Sequence, residues 1–274
     1  ASEALESYLA LESDAASQGD ARWRVGCAKH WLAVLRGENS ATAPAEYVAK
    51  LFDSYADKFD EHLVEKLGYH TPELLAEEIR ITTETLAREG KTASLRRCAD
   101  LGCGTGLMGP PLRKLGVEWL EGVDLSANML QKAREKGRGY DRLVCGDLVD
   151  IFEPGQDGKS PTFDLVVAAD VFVYVGDLKP ALAATARSLV KPHGLVAFST
   201  EAPPCKGGSN EDEGAVPEDG FKLTETGRYI HCATYVQRTA EACGLSLWAT
   251  KDVVLRKNGG KPVHGHIHIL RHAT

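Results

Sequence analysis

Asp100 and three glycines, Gly102, Gly104 and Gly106, sit together in the stretch CADLGCGTG at 98–106. Glycines where a strand turns into a helix permit a tight bend, and they let a ligand approach the backbone in front of the helix N-terminus. The dinucleotide fingerprint requires a further glycine at its sixth position, where this chain has Leu107. Asp100, two positions before the first glycine, is placed to pair with a cationic group. Asp124, in GVDLS, lies twenty residues beyond Gly104, the distance at which an acid ending the second strand reaches ribose hydroxyls. Asp147 in VCGDL is suited to accept from an adenine amino group, and Asp170 closes the apolar run in FDLVVAADVFVYV. An Asp at a strand–helix junction is ordinarily an N-cap. Acids closing four successive strands at one sheet edge suit a ligand with a ribose, an adenine and a positive charge.

A second group of residues follows the fifth apolar run, which ends Ser199-Thr200-Glu201. Arg228 can clamp an anion through two parallel hydrogen bonds. His231 can act as a base near neutral pH. Tyr229 accompanies them, and Tyr229 and His231 can equally serve to pin the preceding loop. His264, His266 and His268 alternate along the last strand-like run. Without a matching Cys or carboxylate pattern they read as a solvent-facing polar stripe, and no metal is expected.

These residues must be carried by a regular frame. Residues 3–18 and 21–37 read as two helices, GENSATAP at 37–44 as a linker, and the chain to about 90 as further helix. Tyr47, Leu51, Tyr55 and Phe59 recur at i+4 steps, and Thr71-Pro72 opens a helix carrying Leu75, Ile79, Thr82 and Leu86 on one face. From 96 onward, short apolar runs alternate with helical segments, which argues for a parallel sheet covered on both faces. The segment 202–227 is rich in Gly, Pro and acid and reads as a lid-like loop. Asn258-Gly259 marks a closing hairpin. The expected class is α/β: a doubly wound, seven-stranded, mostly parallel sheet, its last strand antiparallel in a hairpin, behind an all-helical N-terminal extension. The expected division is a helical hairpin at 1–40 and a main domain at 45–274. Within the latter, 45–90 forms a helical roof and 96–271 the sheet.

The 274 residues carry 32 Lys and Arg against 39 Asp and Glu, a net charge of −7 that gives no general attraction for nucleic acid or anionic membranes. No apolar run approaches the roughly 20 residues of a spanning helix. Seven cysteines, an odd number without CxxC spacing, read as reduced thiols. The expected compartment is the cytoplasm, or an organelle interior where a leader has been removed.

DLGCGTG, GVDLSANML, CGDL and FDLVVAADVFVYV resemble, in that order, the motifs of class I S-adenosylmethionine-dependent methyltransferases, over about residues 96–271. The resemblance implies a Rossmann-like fold, S-adenosylmethionine as cofactor and methyl transfer as activity. Gly102 and Gly104 would wrap the methionine part, Asp100 would lie near its amino group and Asp124 would bind the ribose. Leu125 and Met129 would flank the adenine, with Asp147 and Leu148 at its edge and ring. LFDSYADKFDEHLVEKLGYHTPELL, GTGLMGPPLRKLG and GRYIH further resemble predicted methyltransferases with N-terminal tetratricopeptide-like helices. In those an aromatic from the preceding helix covers the cofactor, and Tyr55 is the candidate here. Such an array needs about three repeats, and only one helix pair precedes the linker. The pair therefore reads as a cap, or as a surface for a protein partner. The fourth run ends AADV and not in the Asn/Asp-Pro-Pro-aromatic tetrapeptide of nucleic-acid amino-methylating enzymes. The expected acceptor is a small molecule with an oxygen nucleophile, carboxylate or hydroxyl. The rival readings are a protein or quinone-like acceptor, and a weakly active cofactor-binding scaffold.

Overall fold

In this computed structural model the described residues are 1–12, 19–91, 93–155, 158, 160–203 and 219–273. Four helices come first: α1 (Ser2–Glu12), α2 (Gly19–Arg36), α3 (Ala45–Tyr55) and α4 (Thr71–Arg88). The expected third helix stops at Tyr55, and the chain continues through a 3-10 turn (Ala56–Lys58) and a π-helical turn (Glu61–Lys66). α4 begins with Pro72 in its first turn, and its Leu75, Ile79 and Leu86 are almost completely buried.

Alternation of strand and helix then builds the sheet. β1 (Arg97–Leu101), β2 (Trp119–Asp124), β3 (Arg142–Cys145), β4 (Leu165–Ala168) and β5 (Leu195–Glu201) are parallel, in the order β3-β2-β1-β4-β5. The intervening helices are α5 (Gly109–Lys114), α6 (Ala127–Glu135) and α7 (Lys179–Ser188). β4 and β5 are buried along their whole length, as befits strands covered on both faces. Their side chains alternate: Leu165, Val167, Leu195 and Ala197 join the core beneath α4, while Val166, Val196 and Phe198 join the core beneath α7. The chain runs outward from β1 to β3 and returns to the other side of β1 with β4. The crevice at that reversal is where open α/β sheets bind ligands.

After β5 come β6 (Phe221–Leu223) and β7 (Tyr229–His231), then α8 (Ala233–Ala242), β8 (Leu245–Asn258) and β9 (Lys261–His272). β9 pairs antiparallel with both β5 and β8, forming the expected hairpin. The seven expected strands are therefore present, with two short additions. β6 and β7 form a small antiparallel ladder that meets β5 at Glu201↔Ile230, so the segment expected as loop to 227 already contains a strand at 221–223. Residues 204–218 of that lid-like segment lie outside the described residues.

The stretch expected as a linker is tied to the body at several points. Ala43 N–H donates to Tyr174 O at 2.9 Å, and Gly176 and Asp177 N–H donate to Ala41 O. The Asn39 side chain donates to Phe221 O and accepts from Leu223 N–H, and the Ser40 and Tyr229 hydroxyls are 2.6 Å apart.

Truncating Ile79, which is 0% exposed, should cost about 2–5 kcal/mol through lost transfer energy and a residual cavity. Ile81→Ala, on the same helix but 40% exposed, should stay within about 1 kcal/mol. Urea unfolding of the two variants measures the difference.

Candidate active site

The glycine turn leaves β1 with positive φ at Gly102 (+63°), Gly104 (+55°) and Gly106 (+87°). A Cβ on Gly102 would lie 2.6 Å from Val171 Cγ2, whereas one on Gly104 would find its nearest neighbour, Phe59, only at 4.0 Å. Gly102 is thus packed from behind, and Gly104 leaves its backbone open to the crevice. Asp124 holds this turn: Oδ2 accepts from Gly104 N–H and Oδ1 from Ser126 N–H, each at 2.8 Å. Burial raises the Asp124 carboxyl to about 6, against the pull of those two backbone donors. Asp100 is 1% exposed and accepts from the Tyr140 hydroxyl at 2.5 Å. Burial pushes it to about 7. It lies beneath the turn and does not line the crevice, unlike the other three acids.

The remaining predicted cofactor residues surround one cavity of about 890 Å³. Leu125, Met129 and Leu148 supply apolar walls, with Asp147 beside them at the exposed end of β3. Tyr55 descends from the roof, and its hydroxyl is hydrogen-bonded to His62 Nδ1. Two roof carboxylates fix this cover. Asp53 accepts from the Ser126 hydroxyl at 2.6 Å, and Ser126 caps α6 in turn. Asp60 accepts from Thr105 in the glycine turn and pairs with Lys136 (2.5 Å) and Arg138 (2.7 Å).

On the far side of the cavity stands a charged cluster. Asp170 is the one non-glycine residue with positive φ (+56°) among the described residues. Its N–H donates to Ser199 Oγ at 2.9 Å, and its Oδ2 accepts from Arg256 Nη1 at 2.7 Å. Arg256, only 3% exposed, also donates to Glu201 through Nη2. Sequence reasoning missed Arg256, because alternation along β8 would face it away from its buried neighbour Leu255. The β8–β9 register slips between Val254 and Arg256, and this bulge buries both Leu255 and Arg256. Asp53 and Asp60 were also missed: they lie on roof helices that the sequence places near the sheet only in general terms.

Of the predicted catalytic residues only Arg228 lines the cavity, with Nη1 3.8 Å from Glu201 Oε1. His231, read from the sequence as either a base or a pin for the loop, does not reach the cavity. It is 0% exposed and lies outside the cavity lining, and its Nε2 is 3.0 Å from both Val175 O and Gly176 O. Burial lowers it to about 4, so it is neutral at ordinary pH. Tyr229 is likewise 0% exposed and spent on Ser40. The histidine stripe is corrected as well. His268 is fully buried, hydrogen-bonded to Thr200 and Thr250, and lies 5.1 Å from the Phe198 ring. His264 is exposed and His266 pairs with Asp252 at 3.2 Å. No metal-binding cluster occurs among the described residues.

A family profile described as a methyltransferase domain matches residues 99–196. Those residues form a class I S-adenosylmethionine-dependent methyltransferase domain. The chain is 37% identical over 105 residues to ubiquinone biosynthesis O-methyltransferase of Alkalilimnicola ehrlichii, 38% of this chain and 41% of that one. It is 30% identical over 161 residues to malonyl-[acyl-carrier protein] O-methyltransferase of Halalkalibacterium halodurans, 57% and 55% of the two chains. The chain thus spans about half the length of these curated relatives. The structure of magnesium protoporphyrin IX methyltransferase from Synechocystis PCC 6803 with bound S-adenosylhomocysteine shares the fold, with a TM-score of 0.56 and 17% identity over 84% of this chain and 100% of that one. No helix among the described residues is long and apolar enough to cross a membrane.

S-adenosylmethionine is the cofactor of such a methyltransferase domain, and the residues present fit it. Gly104 leaves open backbone where the turn meets the cavity, a buried carboxylate faces the same space, and apolar walls stand beside it. A volume of about 890 Å³ lies in the usual range for ligand sites, roughly 300–1,000 Å³.

Gly102→Ala combines positive φ with the Val171 clash and should cost about 2 kcal/mol or more. Gly37→Ala (φ +65°, nothing within 4 Å) should cost about 1 kcal/mol, a contrast that thermal unfolding reads. A pH dependence also follows from Asp100. As pH rises from about 4 towards 7, the unfolded chain loses this proton while the folded protein retains it. Folding stability therefore falls with rising pH, on the order of 3 kcal/mol between pH 5 and 8 from this group. Asp100→Asn should flatten that slope by this amount in urea titrations at the two pH values.

Proposed function

We propose that this protein transfers a methyl group from S-adenosylmethionine to an oxygen atom of a small molecule. The observation that carries this reading is that one cavity joins the glycine turn and Asp124 to an acceptor side walled by aromatic residues, Arg228 and Arg256. When bound, the cofactor supplies an electrophilic methyl group on a sulfonium. Gly102 and Gly104 would hold its methionine end and Asp124 its ribose. Leu125, Met129, Asp147 and Leu148 would enclose the adenine, and Tyr55 would cover the site from the roof. Asp170, held by Ser199 and Arg256, would border the sulfonium side.

The chain's own work is then to align the acceptor and exclude water. An acceptor carboxylate is already anionic and needs no general base, whereas a hydroxyl does. The predicted base His231 is turned away from the cavity, while Arg228 faces it. A carboxylate acceptor fits that arrangement best. Both sequence relatives named above are O-methyltransferases by name. Residues 45–274 would act as one catalytic unit with 45–90 as its roof. Cys27, Cys98, Cys103, Cys145 and Cys243 carry free thiols, which would suit a reducing compartment such as the cytoplasm.

Calorimetry should show saturable one-to-one binding of S-adenosylhomocysteine. Asp147→Ala, at an exposed position, should weaken it about five- to tenfold, the loss of one hydrogen bond, with little change in Tm. Tritiated-methyl S-adenosylmethionine should label a component of a metabolite extract. Absence of S-adenosylhomocysteine binding would overturn the reading.

A further inference from the structure

Resting on the methyl-transfer reading, we propose that the acceptor is a flat, apolar molecule bearing an acidic group held by Arg228, and that the N-terminal helix α2 belongs to this acceptor site, with His30 as the residue that positions Arg228.

The case begins with unspent donors. Arg228 is partly buried (30% exposed side chain) and lines the cavity. Among the described residues its one acidic neighbour is Glu201, at 3.8 Å, beyond hydrogen-bond reach. That carboxylate is already engaged by Arg256. Among the described residues the Arg228 fork therefore keeps its N–H donors for a ligand, and a carboxylate or a similar oxyanion matches it with two parallel bonds. Tyr47 and Tyr55 line the same cavity as Arg228; burial raises both hydroxyls, and the Arg228 charge opposes a small part of that rise. The guanidinium thus stands among the aromatic side chains of the roof. An acceptor that satisfies both has an aromatic body and an acidic edge.

The turn that presents Arg228 is held from outside the catalytic sheet. Thr224 N–H donates to Arg228 O and Gly227 N–H to Thr224 O, each at 2.9 Å. A further carbonyl of this turn, Gly227 O, accepts from His30 Nε2 at 2.9 Å. Because a carbonyl cannot donate, this bond fixes Nε2 as the protonated nitrogen. His30 is 2% exposed and stacks on Tyr47 with ring centroids 5.0 Å apart. A Cβ on Gly227 would meet Trp31 at 3.2 Å and His30 at 3.3 Å. α2 is thus packed directly against the residue before Arg228. One imidazole joins the front helices, a roof aromatic and the turn carrying the free guanidinium. A detached interaction module would have no need of that joint.

The test uses the full chain and two fluorescent probes of the same ring system. Anilinonaphthalene sulfonate is anionic, and N-phenylnaphthylamine lacks the sulfonate. The wild-type protein should prefer the sulfonate by about tenfold in Kd, the size of one charge-assisted contact, and Arg228→Met should erase the preference. His30→Ala should reduce it as far as Arg228→Met does, with no further loss in the double variant. His30→Gln, whose amide N–H can still donate to Gly227 O, should restore it. S-adenosylhomocysteine affinity, read by calorimetry on each variant, should stay unchanged, which a general loss of structure would not allow. Equal binding of the two probes by the wild type overturns the substrate class. An undiminished preference in His30→Ala overturns the role of α2. Loss of S-adenosylhomocysteine binding in the wild type, with the sulfonate preference intact, would instead count against the methyl-transfer reading alone.

Discussion

The carboxylate of Asp124 joins the two turns from which the site is built. One oxygen takes the Gly104 N–H after β1 and the other the Ser126 N–H after β2. Both donors sit where a chain leaves a strand and would otherwise lack partners. A buried carboxylate is costly unless its lone pairs are filled, and its raised pKa shows that cost only partly offset. What it secures is relative position: two turns from two strands, held at their ligand-facing ends by one rigid group. Ser126 extends the link upward through Asp53, and Thr105 does the same through Asp60. The roof is thereby registered to the same pair of turns.

The opposite wall follows a similar logic with charges reversed. A single guanidinium, Arg256, spans Asp170 at the end of β4 and Glu201 at the end of β5. It reaches them from a bulge in the hairpin, so three strands converge on one planar fork. Deleting one member of such a buried network leaves an uncompensated charge. That wall of the site is thus held together by ionic contacts, while β4 and the first half of β5 (Leu195–Phe198) are apolar.

Much of this could be read from the order of residues. The four acids and the glycine turn were legible because strand ends in a parallel sheet fall on one edge, so position in the chain translates into position in space. α4 was legible because Thr71-Pro72 starts it and Leu75, Ile79 and Leu86 keep its period. Arg256 was not, because a one-residue slip against β9 breaks the alternation on which such inference depends. His231 follows Arg228 by three residues, and only the three-dimensional path shows one facing the cavity and the other the carbonyls of Val175 and Gly176. His268 was misjudged for a related reason: a strand face that looks polar is here covered by Thr200, Thr250 and Phe198.

The position of β9 bears on how the molecule is assembled. The strand last in sequence lies inside the sheet, paired to β5 from Leu195 to Glu201 and to β8 beyond it. Until residues 261–272 have been synthesised, β5 presents a seven-residue edge, apolar from Leu195 to Phe198, with open hydrogen-bonding groups. Such edges recruit other strands, and pairings between distant segments form slowly. The nascent chain therefore has an adhesive edge exposed while most of its sheet already exists. Closing the hairpin both completes the core and brings Arg256 to Asp170 and Glu201, so the acceptor wall is finished in the same event that removes that surface.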